Sequence, residues 1–398
     1  MPRWPTFELF LADASSAPSD AERQALADEL MAERSEWPWV EHGQATFIYS
    51  GDAESVALNL DTIQADPPFV PLERLEGTNL WHLTRSFAQD DLLDYMLVLD
   101  DPMTALATEP DIVARVAAHW RPDPLNPLHM DTASMQVSVL RMSAARPFPD
   151  WSTMRHVPRG RVFEHVIDSQ EVGFRERKLW VYTPPDYDGS GMAYPLLIME
   201  DGQWAVGPLQ VPYIADALVK HQRMQPAVIA MIQSGSQEDR TREYIANDLH
   251  YAFLLTELLP FLQTRYRVDS TQIAVAGVAI GAAAAAHAAL TNPAVFSSLM
   301  MISPPLGKGP GQEQLREYTV RFASAELLPR RIFQSVGRYE ARGRFLKPAQ
   351  TLSAILASRA DLAYRYVETG SGHGLVGFAS IMPEALAWTL PGAAAQIP

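Results

Sequence analysis

The chain has 398 residues, which is long enough for two domains that each bury a core. Its formal net charge of −15 argues against a nucleic-acid partner, because such binding depends on basic patches. The absence of cysteine excludes disulfides, thiolate metal ligands and a cysteine nucleophile. The ten histidines are scattered without paired ligand spacing, so we expect neither a metal site nor a cofactor.

The beginning of the chain indicates where the protein acts. Met1 to Pro5 lead into mixed polar sequence without the apolar segment and cleavage site of an export signal. No hydrophobic run is long enough to span a bilayer. These features predict a cytoplasmic protein without a membrane partner, and they leave its oligomeric state open.

The first part of the chain, residues 1–150, is predicted to be rich in β-strands. A helix is expected from Ser19 to Arg34, with Ser19 or Asp20 as its N-cap. Short runs of strand-forming residues then occur at 45–50, 56–60, 80–87 and 95–99, separated by turn-forming segments. This spacing predicts a small antiparallel β-sandwich. The proline-rich segment 121–127 is incompatible with regular structure.

The pattern changes after Arg161, and residues 151–398 are predicted to form an α/β domain. Two strands, 162–168 and 175–183, are expected to form a hairpin. Strands at 194–199, 227–233, 272–276, 331–336 and 363–368 then alternate with helices at 209–221, 246–265 and 281–291. Such alternation predicts a mainly parallel sheet with helices on both faces, and with the loops after its strands at one common edge.

One motif in this second part bears directly on catalysis. Gly277-Val278-Ala279-Ile280-Gly281 has the frame of a G-x-S-x-G nucleophile elbow, with alanine in place of serine. A short apolar strand precedes it and an alanine-rich helix follows, which is the context that the elbow of an α/β hydrolase requires. The methyl group of alanine fits this turn but has no atom that can attack an ester.

The remaining members of a serine-hydrolase triad follow in the expected chain order. Glu340, just past a predicted strand, is the candidate acid, and His373, directly after another strand, is the candidate base. Taken singly, Glu340 could be a solvated carboxylate among arginines and His373 a surface-loop histidine. Their order and placement relative to the elbow favour the triad.

Other residues are candidates for binding the oxyanion and the substrate. The backbone N–H of Ile280 follows the nucleophile position, and a second donor is expected from Gln203 or Trp204 in the loop after an early strand. The alternative for that loop is an ordinary turn with Trp204 in the core. Arg240, Arg242 and Arg338 are candidates for binding an anionic substrate, although ion pairs with neighbouring carboxylates such as Glu238, Asp239 and Glu340 are an equal alternative.

These residues resemble the enterochelin esterase (ferric enterobactin esterase) family of α/β hydrolases over most of the chain. In the second part the resemblance lies in the elbow and in residues 196–205, 240–244, 257–260, 337–340 and 372–373, and in the first part in residues 45–49, 75–81 and 123–127. It implies an N-terminal sandwich domain before the hydrolase domain. It also implies cytoplasmic hydrolysis of the ester bonds in a cyclic catecholate siderophore, with Ala279 at the nucleophile position, Glu340 as acid and His373 as base.

The chain departs from the family pattern in three places, which leaves three hypotheses. Besides Ala279, Val278 replaces a polar residue, and residues 302–308 replace a stretch rich in serine and aromatic residues. The first hypothesis is an esterase for a small ester, such as a ferric siderophore, in which serine was changed to alanine. The second is a natural pseudoenzyme that acts as a binding module. The third is a general carboxylesterase with another substrate.

Overall fold

The structure is a computed structural model that describes residues 2–63, 65–132 and 135–396. Its contacts divide the chain into two units, Met1–Arg146 with Gly370–Gly377, and Pro147–Thr369 with Phe378–Pro398. The sequence predicts a boundary at residue 150, with residues 370–377 in the second part. The structure groups this short segment with the first unit, where the N–H of Leu92 donates to the carbonyl of Gly370 (2.8 Å).

The described residues of the first unit form two antiparallel sheets and three α-helices. Its helices are α1 (Phe7–Ser16), α2 (Asp20–Glu33) and α3 (Ile112–His119), and its strands are β1 (Trp39–Glu41), β2 (Gln44–Ser50), β3 (Val56–Leu60), β4 (Phe69–Pro71), β5 (Glu73–Arg74), β6 (Leu80–Ser86), β7 (Leu92–Leu99), β8 (Trp120–Arg121), β9 (His129–Asp131) and β10 (Gln136–Arg141). One sheet has the order β1-β2-β6-β5 and the other β4-β3-β7-β10-β9, with β8 also paired to β7.

The predicted sandwich is present in this unit, because side chains from the two sheets meet. The ring of Phe47 on β2 lies 4.9 Å from that of Tyr95 on β7 in an edge-to-face contact. The predicted helix is also present as α2, and the hydroxyl of its N-cap Ser19 accepts from the N–H of Glu22. Elements α1, α3 and β10 are not predicted from the sequence.

The second unit is built on one eight-stranded sheet. Its strands are β11 (Arg161–Ile167), β12 (Arg177–Thr183), β13 (Tyr194–Met199), β14 (Val228–Ile232), β15 (Val268–Val278), β16 (Phe296–Ile302), β17 (Arg331–Gly337) and β18 (Ala363–Thr369). The order is β11-β12-β14-β13-β15-β16-β17-β18. Only β12 runs opposite to its neighbours, since the pairs from β14 to β18 are all parallel.

Helices cover both faces of this sheet. They are α4 (Tyr187–Ser190), α5 (Gly202–Val206), α6 (Val211–Lys220), α7 (Gln237–Tyr244), α8 (Asp248–Phe253), α9 (Leu259–Arg265), α10 (Ile280–Thr291), α11 (Gln312–Ser324), α12 (Lys347–Ala357) and α13 (Leu375–Thr389). Every residue of β13 and β14 is buried, as expected for central strands that are covered on both sides. The predicted helix 246–265 is interrupted, because a π-helical turn, Leu254–Leu258, separates α8 from α9.

The alanine-rich run after the elbow forms the buried helix α10. Its residues from Ala282 to Ala286 are all buried, between the sheet on one side and neighbouring helices on the other. Small side chains allow the helix to approach β15 and β16 closely, which brings the start of α10 to the carboxyl ends of those strands. Within the described part of the chain, no helix has both the length and the apolar character needed to cross a membrane.

Candidate active site

The turn between β15 and α10 has the geometry of a nucleophile elbow. Ala279 occupies it with φ 51° and ψ −124°, a conformation that residues other than glycine rarely adopt. The N–H of Ala279 donates to the carbonyl of Ile302 at the end of β16 (2.8 Å), and its carbonyl accepts from the N–H of Ala282 (3.0 Å). Such strain costs roughly 1–3 kcal/mol and persists only where the surroundings impose it. Residue 279 is partly exposed, so a side chain at this position faces accessible space.

Close packing requires both glycines of the motif. A β-carbon on Gly277 would lie 2.1 Å from the carbonyl carbon and oxygen of Gly281. A β-carbon on Gly281 would lie 2.8 Å from a carboxylate oxygen of Asp201. Strand, turn and helix are therefore pressed together around position 279, which is what an elbow needs and what a chance sequence match would not provide.

Glu340 is a buried carboxylate that accepts hydrogen bonds from its neighbours. It lies just after β17, and one of its oxygens accepts from the N–H of Gly337 and from the hydroxyl of Ser303, each at 2.6 Å. Only 3% of its surface is exposed, so the alternative of a solvated carboxylate is wrong. Ser303 directly follows Ile302, the residue that binds the N–H of Ala279. The end of β16 therefore connects the nucleophile position to the candidate acid.

Ser303 has no role predicted from the sequence, where it is only part of the divergent segment 302–308. Ser303 is buried and has a φ of 53°, in the left-handed region that disfavours most side chains. Its own N–H donates to the carbonyl of Ser335 on β17 (2.8 Å). This second strained residue next to the elbow aims a hydroxyl at the carboxylate of Glu340.

His373 lies in the loop between β18 and α13, as the sequence predicted, and its side chain is exposed. The loop belongs to the segment Gly370–Gly377 of the first unit, whereas Ala279 and Glu340 belong to the second. Glycines allow the loop to pack closely within its unit: a β-carbon on Gly370 would lie 2.7 Å from the carbonyl oxygen of Asp90. The role of His373 as base stays a prediction.

The candidate oxyanion donors are distinguished by their hydrogen bonds. Residues 201–204, here named the oxyanion turn, follow β13, and Asp201 begins them with a φ of 59°. The N–H of Trp204 donates to the carbonyl of Asp201 (2.9 Å), so the prediction that Trp204 supplies an oxyanion donor is corrected. Gln203 remains the candidate, with its side chain fixed by two hydrogen bonds to Ser234. Ile280 also remains, because it is the first residue of α10, where the N–H has no acceptor within the helix.

Arg240, predicted from the sequence to bind substrate, forms an ion pair within the protein instead. It lies on α7 with 5% of its surface exposed and donates two hydrogen bonds of 2.6 Å to the carboxylate of Asp201. A buried, doubly bonded guanidinium has no face for an anionic substrate, so this assignment is corrected. Burial raises the pKa of the Asp201 carboxyl, and the hydrogen bonds from Arg240 oppose that rise.

The other two arginines are placed differently. Arg242 is exposed and pairs with Asp239 on the same helix. Arg338 is partly buried after β17, and its guanidinium lies 5.9 Å from the ring centre of Tyr339. Substrate binding by Arg242 and by Arg338 therefore stays a prediction. For Arg242 the structure shows the alternative, a solvated ion pair.

Comparisons with known proteins extend over both units. The model of the family described as "Putative esterase" matches residues 169–377, and the model "Enterochelin esterase, N-terminal" matches residues 49–151. The iron(III) enterobactin esterase of Dickeya dadantii (strain 3937) is 25% identical over 356 residues, which cover 81% of this chain and 79% of the relative.

Two solved structures have the same fold. The ferric enterobactin esterase from Salmonella typhimurium has a TM-score of 0.76 at 19% identity, over 91% of this chain and 98% of that one. The enterobactin esterase from Shigella flexneri, crystallised in the presence of enterobactin, has a TM-score of 0.74 at 20% identity, over 91% and 97% of the two chains. At these identities the likeness shows the shared fold, and it confirms the predicted α/β-hydrolase fold preceded by a β-sandwich.

The family match covers more than half of the chain and includes β12 to β18, the elbow and Glu340. The N-terminal match covers most strands of the first unit. The chain therefore belongs to the esterase family, in the enterochelin-esterase-like group of the α/β hydrolases.

Proposed function

We propose that this protein has the binding cleft of a ferric catecholate siderophore esterase and that its hydrolytic activity requires serine at position 279. The observation that carries the proposal is the intact elbow, in which Ala279 keeps a strained nucleophile conformation between two sterically required glycines. The buried carboxylate of Glu340 supports it. The substrate class comes from the relatives, which are named for enterobactin, and the family resemblance implies that the reaction takes place in the cytoplasm.

The residues have the following roles in the form that carries a hydroxyl at 279. That hydroxyl attacks the ester carbonyl carbon, and its proton passes to His373, which Glu340 orients. The N–H groups of Ile280 and Gln203 stabilise the oxyanion that develops. The departing alcohol takes the proton from His373, and water then releases the acyl group. Cutting a cyclic ester separates its catecholate arms, which lowers their effective concentration around iron and favours its release.

The chain with Ala279 should turn over almost no substrate. Removal of the nucleophile from a comparable triad in subtilisin lowers kcat by about 10⁶, and the residual rate comes from binding and the oxyanion donors. We therefore expect Ala279→Ser to raise kcat for an activated aryl ester by the same order. The measurement is the release of p-nitrophenol from p-nitrophenyl acetate.

The control is the double variant Ala279→Ser/His373→Ala, which should lose the gained activity because no base remains. If the single variant is as inert as the parent chain, the triad is not poised and the proposal fails. If it cleaves simple acyl esters but not a ferric catecholate trilactone, the protein is a general carboxylesterase. Reading codon 279 in the source gene separates a replaced serine from a natural pseudoenzyme.

Substrate binding is tested without any substitution, because binding needs no nucleophile. Ferric enterobactin should quench the tryptophan fluorescence of the parent chain at micromolar concentration, and the intact trilactone should be recovered after incubation. Failure to bind any ferric catecholate would remove the siderophore part of the proposal and leave the esterase part standing.

A further inference from the structure

The ion pair between Asp201 and Arg240 joins two segments that lie far apart in the sequence. Arg240 donates from Nε to one carboxylate oxygen and from an Nη atom to the other, both at 2.6 Å. The guanidinium is further enclosed by two aromatic rings, those of Trp204 at 4.6 Å and Tyr244 at 5.7 Å. Such a planar, two-point contact fixes direction as well as distance, which an ammonium group would not do.

This pair sits directly against the elbow. The carboxylate of Asp201 occupies the space in which a side chain on Gly281 would lie, at 2.8 Å from its ideal β-carbon position. On the other side, Gly202 is packed so tightly on β14 that its β-carbon would lie 2.5 Å from the carbonyl carbon of Met231. The oxyanion turn is therefore held between β14 and the first turn of α10.

The charge of Arg240 matters at this location. The start of a helix attracts anions, so the carboxylate of Asp201 beside Gly281 is favourably placed with respect to α10. Gly281 directly follows Ile280, whose N–H is the proposed donor to the negative charge that would develop on the reacting oxygen. An unneutralised carboxylate there would repel that charge in a poorly solvated environment.

We propose that the Asp201–Arg240 pair positions the oxyanion turn and neutralises Asp201, so that Arg240 acts on catalysis without touching substrate. The inference rests on the proposed function, since it presumes that Gln203 and Ile280 bind an oxyanion. It assigns Arg240 as a positioning residue instead of the substrate ligand expected from the sequence.

The first experiment measures position and needs no activity. In the parent chain, Arg240→Met should increase amide hydrogen exchange in peptides that cover residues 200–206 by about tenfold or more, because the turn loses the partner that holds it. The matched control is Arg177→Met. Arg177 is also buried and forms a two-bond pair with Glu243 (2.5 and 2.6 Å) from β12 to α7, and no residue of the oxyanion turn takes part in that pair. This control should leave exchange in residues 200–206 unchanged.

The second experiment measures the catalytic consequence in the Ala279→Ser chain. Adding Arg240→Met should lower kcat by about 10²–10³, the usual effect of losing an oxyanion donor, with KM changed less than about threefold. Adding Arg177→Met should leave both constants within about threefold. If Arg240→Met does not fold, Asp201→Asn keeps the shape of the side chain and should lower kcat in the same direction by a smaller factor.

The outcomes separate this inference from the proposed function. Unchanged exchange in residues 200–206 of Arg240→Met would overturn the inference whether or not Ala279→Ser is active. A higher KM with an unchanged kcat would also overturn it and restore Arg240 as a substrate ligand. If Ala279→Ser is inert but Arg240→Met alters the exchange, the pair does position the turn and the esterase proposal is rejected.

Discussion

Replacing Gly277 by alanine tests whether the elbow is as crowded as its geometry indicates. The added β-carbon would lie 2.1 Å from the carbonyl carbon and oxygen of Gly281 and 2.5 Å from the N–H nitrogen of Ala282, whereas ordinary contacts begin near 3.4 Å. All of these neighbours are backbone atoms, so no side chain can rotate away. β15 and the first turn of α10 would have to separate by more than an ångström.

The resulting loss of stability follows from that displacement. Overpacking a well-packed interior costs typically about 1–3 kcal/mol, and we expect the upper half of this range because the obstacle is the backbone of α10. For a unit of this size, each kcal/mol lowers the unfolding midpoint by roughly 2–4 °C. Thermal unfolding followed by circular dichroism measures the change in the transition of the second unit.

A matched control exists on the surface of the same unit. A β-carbon on Gly189 would have no neighbour within 4 Å, so Gly189→Ala should leave the midpoint unchanged or raise it slightly through the unfolded state. If Gly277→Ala and Gly189→Ala unfold at the same temperature, the elbow is not closely packed and the reasoning from it is wrong.

Two further predictions concern single side chains. In the Ala279→Ser chain, Ser303→Ala and Ser303→Gly should both lower kcat by about tenfold, because each removes the hydrogen bond to Glu340. If the glycine variant retains full activity, the backbone conformation at 303 matters and the hydroxyl does not. Burial lowers the pKa of His287, and this effect outweighs the rise caused by its hydrogen bond to Asp248 (2.8 Å). Its other ring nitrogen accepts a hydrogen bond from Arg321 (3.2 Å), so the ring is neutral in the folded protein. Because the unfolded ring binds a proton near pH 6.5, the free energy of unfolding measured in urea should decrease as the pH falls below 6.5. His287→Gln should flatten that decrease, and an unchanged slope in this variant would refute the role of His287.

Much of the fold could be predicted because its signals are local. The strand Tyr194–Met199 was predicted with the bounds that the structure has, since it is a short apolar run between turn-forming residues. The elbow was predicted because its glycines, strand and helix are adjacent in sequence. Helices α11, α12 and α13 were not predicted, although α11 and α12 bury one face each.

The parts of the site that the sequence left open or predicted wrongly depend on partners remote in sequence. Arg240 appeared to be an available cation because Asp201, which binds it, lies 39 residues earlier. Glu340 could have been a solvated carboxylate because its partner Ser303 lies 37 residues away. The prediction that Trp204 is an oxyanion donor failed for a different reason. The φ of Asp201 determines which N–H of this tight turn is already hydrogen-bonded. Residue type alone carries none of this information.

The state of the elbow also bears on how alanine came to position 279. A cleft that only binds has no need for a strained residue at this turn, and relaxing that strain would gain roughly 1–3 kcal/mol. Yet Ala279 keeps a φ of 51°, and Ser303 keeps its strained backbone and its hydrogen bond to Glu340. A serine placed at 279 would therefore enter a turn that already has the backbone conformation of a nucleophile elbow. How the alanine arose is decided by codon 279 of the source gene, which separates a replaced serine from a natural pseudoenzyme.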